Sequence, residues 1–347
     1  MVTRQLTIKD AINEALRQEM EADDRVILLG EDIAGGAGRD VEYPPAADAW
    51  GGPFGVTKGL LGLFGRERVI DTPIAEAGFV GAAIGAAVAG LRPVVEIMYA
   101  DFIGTSFDQV INHAAKLRYV YGGKVSVPLV IRTVTGAGFR AGAEHSQTLY
   151  SLYTHIPGLK VVAPATPHDA KGLLIAAIRD PDPVIFMEHK RLYMEQGEVP
   201  LQPYEVPIGL ANVVRTGDDV TVVGVQKMVN TALAAAAVLN ERGIEVEVID
   251  PRSYSPLDSD TILASVRKTG RLVIVDESYP RCSIATDIAA LAASDAFDAL
   301  RGPVLRVTAP HAPIPFSPVL EDAYIPSVGR VCEAVERLMA AAGARSA

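Results

Sequence analysis

In Asp71-Thr72-Pro73-Ile74-Ala75-Glu76-Ala77-Gly78-Phe79 a lone carboxylate, Glu76, stands at the head of an otherwise apolar helical run. A strand-like run ends there, a proline turns the chain, and Glu76 opens a long run of glycine, alanine and aliphatic residues. An acid at a helix start is favoured by the helix macrodipole alone. A carboxyl held in apolar surroundings keeps its proton to higher pH and can exchange it near neutrality. His145 lies in the glycine-containing loop Ala141–Gln147, where a lone histidine by itself reads as surface. Glu31 follows a strand-like run at the kind of strand end where α/β sheets place ligands, and reads equally well as a surface acid.

Other chemistries fail on spacing. Gly122-Gly123-Lys124-Val125 lacks the first glycine and the hydroxyl of a phosphate-binding loop. Gly136, Gly138 and Gly142 follow a strand-like run, but the third glycine comes one place late for a dinucleotide fingerprint. No HExxH or GxSxG occurs.

The elements that would position these residues alternate between strand and helix throughout. Strands are predicted at 26–30, 68–71, 93–98, 128–133, 160–163 and 183–188, with helices at 7–21, 76–90, 101–121 and 167–179. The first helix carries a capping pattern, Thr7-x-x-Asp10, with Asp in place of Glu. Three prolines and several charges at 191–207 predict a linker. A second series follows, with strands at 220–225, 245–249, 272–276 and 304–307 and helices at 228–241, 258–268, 284–293 and 328–341. The fold class is α/β with mainly parallel sheets, in two domains at 1–190 and 208–341, followed by a loose tail at 342–347.

The chain of 347 residues has a net charge of −10 and no basic run, which argues against nucleic acid and anionic membranes as partners. Ala77–Leu91 contains no charge but is shorter than the about 20 residues of a membrane span. It reads as a buried helix whose small side chains admit another backbone. A hydrophobic content of 49% suggests burial against other subunits. Cys282 and Cys332 form no metal-ligand spacing, and the start of the chain lacks the apolar core of a signal peptide, so a cytoplasmic location is expected.

The chain resembles, over essentially its whole length, the β subunits of thiamine-diphosphate-dependent dehydrogenase complexes. The resemblance rests on LGED at 29–32, DTPIAEAGF at 71–79, EIMYADF at 96–102 and FDQVINHAAK at 107–116. It continues through AEHSQ at 143–147, HIPGLKVVAP at 155–164 and AIRDPDPVI at 177–185. Segments 35–38, 48–60 and 309–317 look most like the acetoin dehydrogenase members.

The resemblance implies a pyrimidine-binding domain followed by a transketolase-type C-terminal domain. It implies that Glu76 hydrogen-bonds a pyrimidine ring nitrogen of thiamine diphosphate, and that Met98 and Phe102, otherwise ordinary core, pack on that ring. It implies a substrate-channel role for His145 and proton relay for Glu31. A monovalent cation, such as K+, is implied at Leu129, Ala177, Asp180 and Asp182, the last standing where relatives often have Asn. The family's GDG motif for Mg²⁺ and diphosphate is missing; Gly217-Asp218-Asp219 is only a turn. Those ligands are therefore expected on an α subunit, in an α2β2 heterotetramer.

The implied reaction is cleavage of acetoin, or decarboxylation of a 2-oxo acid, followed by acylation of a lipoyl group. Acids such as Asp287 are expected to dock the acyltransferase core. The alternatives are a pyruvate or branched-chain substrate, a non-catalytic scaffold subunit and an NAD-linked dehydrogenase. The last is disfavoured by the late third glycine.

Overall fold

The computed structural model describes residues 2–35 and 50–343. Residues 36–49, which carry part of the acetoin-type segments, and the tail from 344 lie outside the described residues. The chain divides into two compact units: Met1–Thr135 with Leu152–Ile208, and Gly136–Ser151 with Gly209–Ala347.

The first unit begins with strand β1 (Thr3–Thr7) and helix α1 (Ile8–Ala22). The Thr7 hydroxyl accepts from the Asp10 N–H at 3.1 Å, so Thr7 caps the helix, while the Asp10 carboxylate accepts from the Thr7 hydroxyl at 2.6 Å rather than from its main-chain N–H as a full capping box requires. Six parallel strands make the sheet: β2 (Val26–Gly30), β3 (Val69–Asp71), β4 (Arg92–Ile97), β5 (Val130–Thr135), β6 (Lys160–Val162) and β7 (Val184–His189). Their order is β6-β7-β5-β4-β2-β3. Most of their side chains are buried on both faces, which is why they read as continuous apolar runs. Helix α2 (Leu60–Phe64) precedes β3, and α3 (Glu76–Val88) joins β3 to β4.

Sequence expectation and structure differ at three places here. First, α3 is not buried all round. Phe79, Val80, Ala83, Ile84 and Ala87 face inward, while Ala77, Gly78, Ala82, Gly85 and Val88 form an exposed face of small residues. Second, the helix predicted at 101–121 is broken into a 3₁₀ segment (Ala100–Ser106), a π segment (Gln109–Ala114) and short α4 (Leu117–Val120). The Thr105 and Ser106 hydroxyls bond back to the carbonyls of Phe102 and Ile103, which competes with regular α-helical pairing.

Third, the 191–207 stretch is not irregular throughout. It contains strand β8 (Gln196–Pro200), which pairs antiparallel with β1. Further on, the chain packs on α6 (Pro167–Arg179), where a side chain at Gly172 would meet Val206 at 2.5 Å. The missing Cβ admits this segment, and the Val206 N–H donates to the Gly172 carbonyl at 3.1 Å. Helix α5 (Tyr150–Thr154) lies where the chain passes between the units.

The second unit has strands β9 (Asn212–Arg215), β10 (Val220–Gly224), β11 (Val246–Asp250), short β12 (Ser253–Ser255), β13 (Leu272–Asp276) and β14 (Leu305–Thr308). Its sheet order is β14-β13-β10-β11-β9, with only β9 antiparallel. Helices α7 (Met228–Asn240), α8 (Ser259–Thr269), α9 (Ile284–Asp295) and α11 (Val328–Gly343) match the expected helices to within a few residues. Short α10 (Pro318–Tyr324) was not expected. Among the described residues no helix is long and apolar enough to cross a membrane.

Candidate active site

Strand register builds the site in the first unit. Gly30, the last residue of β2, lies opposite Asp71 of β3 and Glu96 of β4. The residues that follow these strands therefore emerge side by side at the carboxyl edge, where α/β sheets bind ligands. They are Glu31, Thr72 and Met98. The Thr72 N–H donates to the Gly30 carbonyl at 3.0 Å. The Asp71 carboxylate accepts from the Ala34 N–H at 2.6 Å, tying together the turns that leave β2 and β3.

Glu76 starts α3 and is 9% exposed. Glu31 is half-buried, and its pKa is pushed up to about 7, first by burial and then by the neighbouring charges of Glu76 and Asp32. The structure thus brings these two acids together. Met98 and Phe102 are half-buried at the same edge, and Phe102 meets Tyr99 edge-on with ring centres 5.8 Å apart. The hydroxyls of Thr72 and of Thr133, which lies opposite Ile97, are buried without a hydrogen-bond partner. Buried orphan hydroxyls are uncommon. Together with a carboxyl, an aromatic ring and a thioether, they suit a flat heterocycle with polar edges, such as the pyrimidine of thiamine diphosphate.

Sequence reasoning missed the support beneath this edge. Arg132 of β5 is 2% exposed and donates to both oxygens of Glu188 at 2.7 and 2.9 Å, and to Glu96 at 2.6 Å. Tyr193 donates to Glu188 at 2.7 Å. Burial pushes the Glu96 carboxyl up in proton affinity, which fits two acids sharing one guanidinium. Gly52 lies over this group with φ +80°, and a Cβ there would sit 2.6 Å from a Glu96 oxygen. One charge in each of three apolar strands was the available signal.

The other expected residues lie elsewhere. Leu129, Ala177, Asp180 and Asp182 gather near the amino ends of β5 and β7, at the opposite edge of the sheet. The Asp180 carboxylate is held by Lys160 at 2.7 and 2.6 Å, and Asp182 by Arg118 at 2.5 Å. The Leu129 carbonyl accepts from Val184 at 2.9 Å. Both carboxylates are thus paired, and the Ala177 carbonyl likewise accepts from the Asp180 N–H at 3.3 Å. Among the described residues no three His, Cys, Asp or Glu side chains converge as metal ligands.

His145 belongs to the second unit and is half-buried, so it is not a fully exposed surface histidine. Asp287 is exposed in the first turn of α9.

Residues 4–196 match the family described as Transketolase, pyrimidine binding domain, and residues 209–331 match Transketolase, C-terminal domain. The chain is 58% identical over 338 residues to the acetoin:2,6-dichlorophenolindophenol oxidoreductase subunit beta of Bacillus subtilis (strain 168), covering 97% of this chain and 98% of that one. The Cupriavidus necator subunit of the same description gives the same values. Identity is 46% over 332 residues to the pyruvate dehydrogenase E1 component subunit beta of Rhizobium meliloti, covering 95% and 69%. A solved split-gene transketolase, described as an inactive beta4 tetramer, shares the fold at a TM-score of 0.74 with 21% identity, covering 96% and 98%. The chain belongs to the family of β subunits of thiamine-diphosphate-dependent dehydrogenase components, the group that includes the acetoin and pyruvate dehydrogenase β subunits.

Proposed function

We propose that this chain is the β subunit of an acetoin-cleaving component that acylates a lipoyl group, working in the cytoplasm with an α subunit in an α2β2 assembly. The observation that carries this reading is 58% identity, over nearly the whole of both chains, to two acetoin oxidoreductase β subunits, against 46% for a pyruvate dehydrogenase β subunit.

Thiamine diphosphate, when bound, supplies cleavage of the bond beside a carbonyl carbon. Glu76 would hold and move the proton at a pyrimidine ring nitrogen; its burial at the carboxyl edge supports that role. Met98 and Phe102 would pack on the ring, and the Thr72 and Thr133 hydroxyls could reach its polar edge. Glu31, titrating near neutrality beside Glu76, would relay protons. His145 would donate a proton to a lipoyl sulfur as it leaves. The Mg²⁺ and diphosphate ligands are assigned to the α subunit, because this chain has no GDG motif. K⁺ is assigned to Leu129, Ala177, Asp180 and Asp182, and the acyltransferase core to the C-terminal domain.

The test is co-expression with an α subunit, followed by assays with acetoin, pyruvate and 2-oxoisovalerate. Preference for acetoin supports the proposal. Preference for either 2-oxo acid moves the chain to that branch of the family.

A further inference from the structure

The loop that carries His145 is held by carboxylates that lie far away in sequence. Residues 136–142 form a strained turn, with positive φ at Gly136 (94°), Gly138 (97°), Arg140 (59°) and Gly142 (76°). Three of these are glycines, which adopt such angles freely; Arg140 does so at a steric penalty. Such a turn needs outside support, and the second unit supplies it. Glu321 of α10 is fully buried. One of its oxygens accepts from the Gly138 N–H at 2.7 Å. The other accepts from the Arg140 N–H at 3.2 Å and from the Arg140 guanidinium at 2.7 Å. Arg140 also reaches Asp322 at 3.0 Å.

The neighbouring Ala137 N–H donates to a second buried carboxylate, Glu277, at 2.5 Å. Downstream of the histidine, Ser278 donates to the Thr148 carbonyl at 2.9 Å, and Tyr150 donates to Gln226 at 2.5 Å. The segment is therefore fixed on both sides of His145.

We propose that Glu321 is a positioning residue: its carboxylate, clasping the Gly138–Arg140 turn, sets the place of His145 in lipoyl acylation. The inference rests on the role proposed above for His145. Main-chain N–H groups that converge on one carboxylate form a concave anion seat, and charged acceptors make the stronger hydrogen bonds. An amide at 321 offers one acceptor oxygen and turns an NH₂ group toward a donor. A Glu321→Gln change therefore loosens the turn without removing side-chain volume.

The experiment uses the reconstituted complex with α subunit and acyltransferase, and compares lipoyl acylation with reduction of an artificial dye acceptor. The variants are Glu321→Gln, His145→Ala and the double variant, and thermal melts report folding. We expect Glu321→Gln to lower lipoyl acylation at least about tenfold and dye reduction less than about threefold. We expect the double variant to be no worse than His145→Ala, since residues acting through one another are not additive. Losses that multiply in the double variant overturn the proposal, as does normal acylation by a folded Glu321→Gln. If Glu321→Gln does not fold, Arg140→Ala takes its place, because it removes one clasp and leaves the buried carboxylate on the Gly138 N–H. A three- to tenfold loss of acylation, absent on the His145→Ala background, then supports the proposal, and no loss overturns it. If His145→Ala itself leaves acylation intact, the reading of His145 fails and the clasp has no catalytic object.

Discussion

Removing Arg132 should unfold the first unit more readily than any surface change, and the loss should depend on pH. The guanidinium makes three hydrogen bonds, at 2.7, 2.9 and 2.6 Å, to two carboxyls that are 1% and 7% exposed. Arg132→Met leaves both acids buried without their cation. Breaking a buried pair by removing one partner costs about 3–5 kcal/mol. For a unit of this size that corresponds to a fall of roughly 6–20 °C in Tm. Without the guanidinium, both carboxyls take up protons more readily in the folded state than in the unfolded one. A raised folded pKa means the penalty is fully present at high pH and fades as pH falls through that pKa. The gap between variant and wild type should therefore be largest near pH 8 and shrink toward pH 5. Urea unfolding followed by circular dichroism at both pH values measures it. Adding Glu96→Gln and Glu188→Gln to Arg132→Met should restore part of the loss, because no buried charge is then left uncompensated. A loss below about 1 kcal/mol, or one that ignores pH, would refute the reasoning.

Glu31→Gln should match wild type in Tm near pH 4.5 and exceed it at pH 8. The raised pKa of about 7 means that the wild type buries a charge only above that pH; an equal Tm at both pH values would rule this out. Glu76→Gln should leave assembly with the α subunit intact, by size-exclusion chromatography, and lower turnover roughly 10²–10⁴-fold. Gly52→Ala should lower stability by about 1–3 kcal/mol in chemical denaturation, because it combines φ +80° with a Cβ 2.6 Å from Glu96.

The regular elements were legible because their periodicities are local. The strand at Val26–Gly30 and the helix at Pro167–Arg179 agree with their expected bounds to the residue. Strand β8 was hidden because its partner, β1, lies almost two hundred residues away, and two-stranded pairing with one polar side leaves no apolar run to see. Within the site, Glu76 stood out as a charge in an apolar stretch, whereas its neighbour Glu31 depended on a register that only the sheet reveals. Arg132, Glu96 and Glu188 each look like an isolated strand charge, and only lateral pairing makes them a group. The paired state of Asp180 and Asp182 was unreadable for the same reason, since Lys160 and Arg118 reach them from other elements. Glu321 was invisible because it lies 183 residues after Gly138.

That last separation has a consequence for synthesis. Chains leave the ribosome at about 5–20 residues per second and tend to fold from the N-terminal side first. The glycine turn beside His145 is therefore made roughly 10–40 s before the carboxylate that clasps it. Throughout that interval the nascent chain lacks an ordered histidine loop, however complete its first sheet. Premature stop products ending anywhere before Glu321 would share this defect. Synthesis of α10 thus becomes the event that licenses the loop.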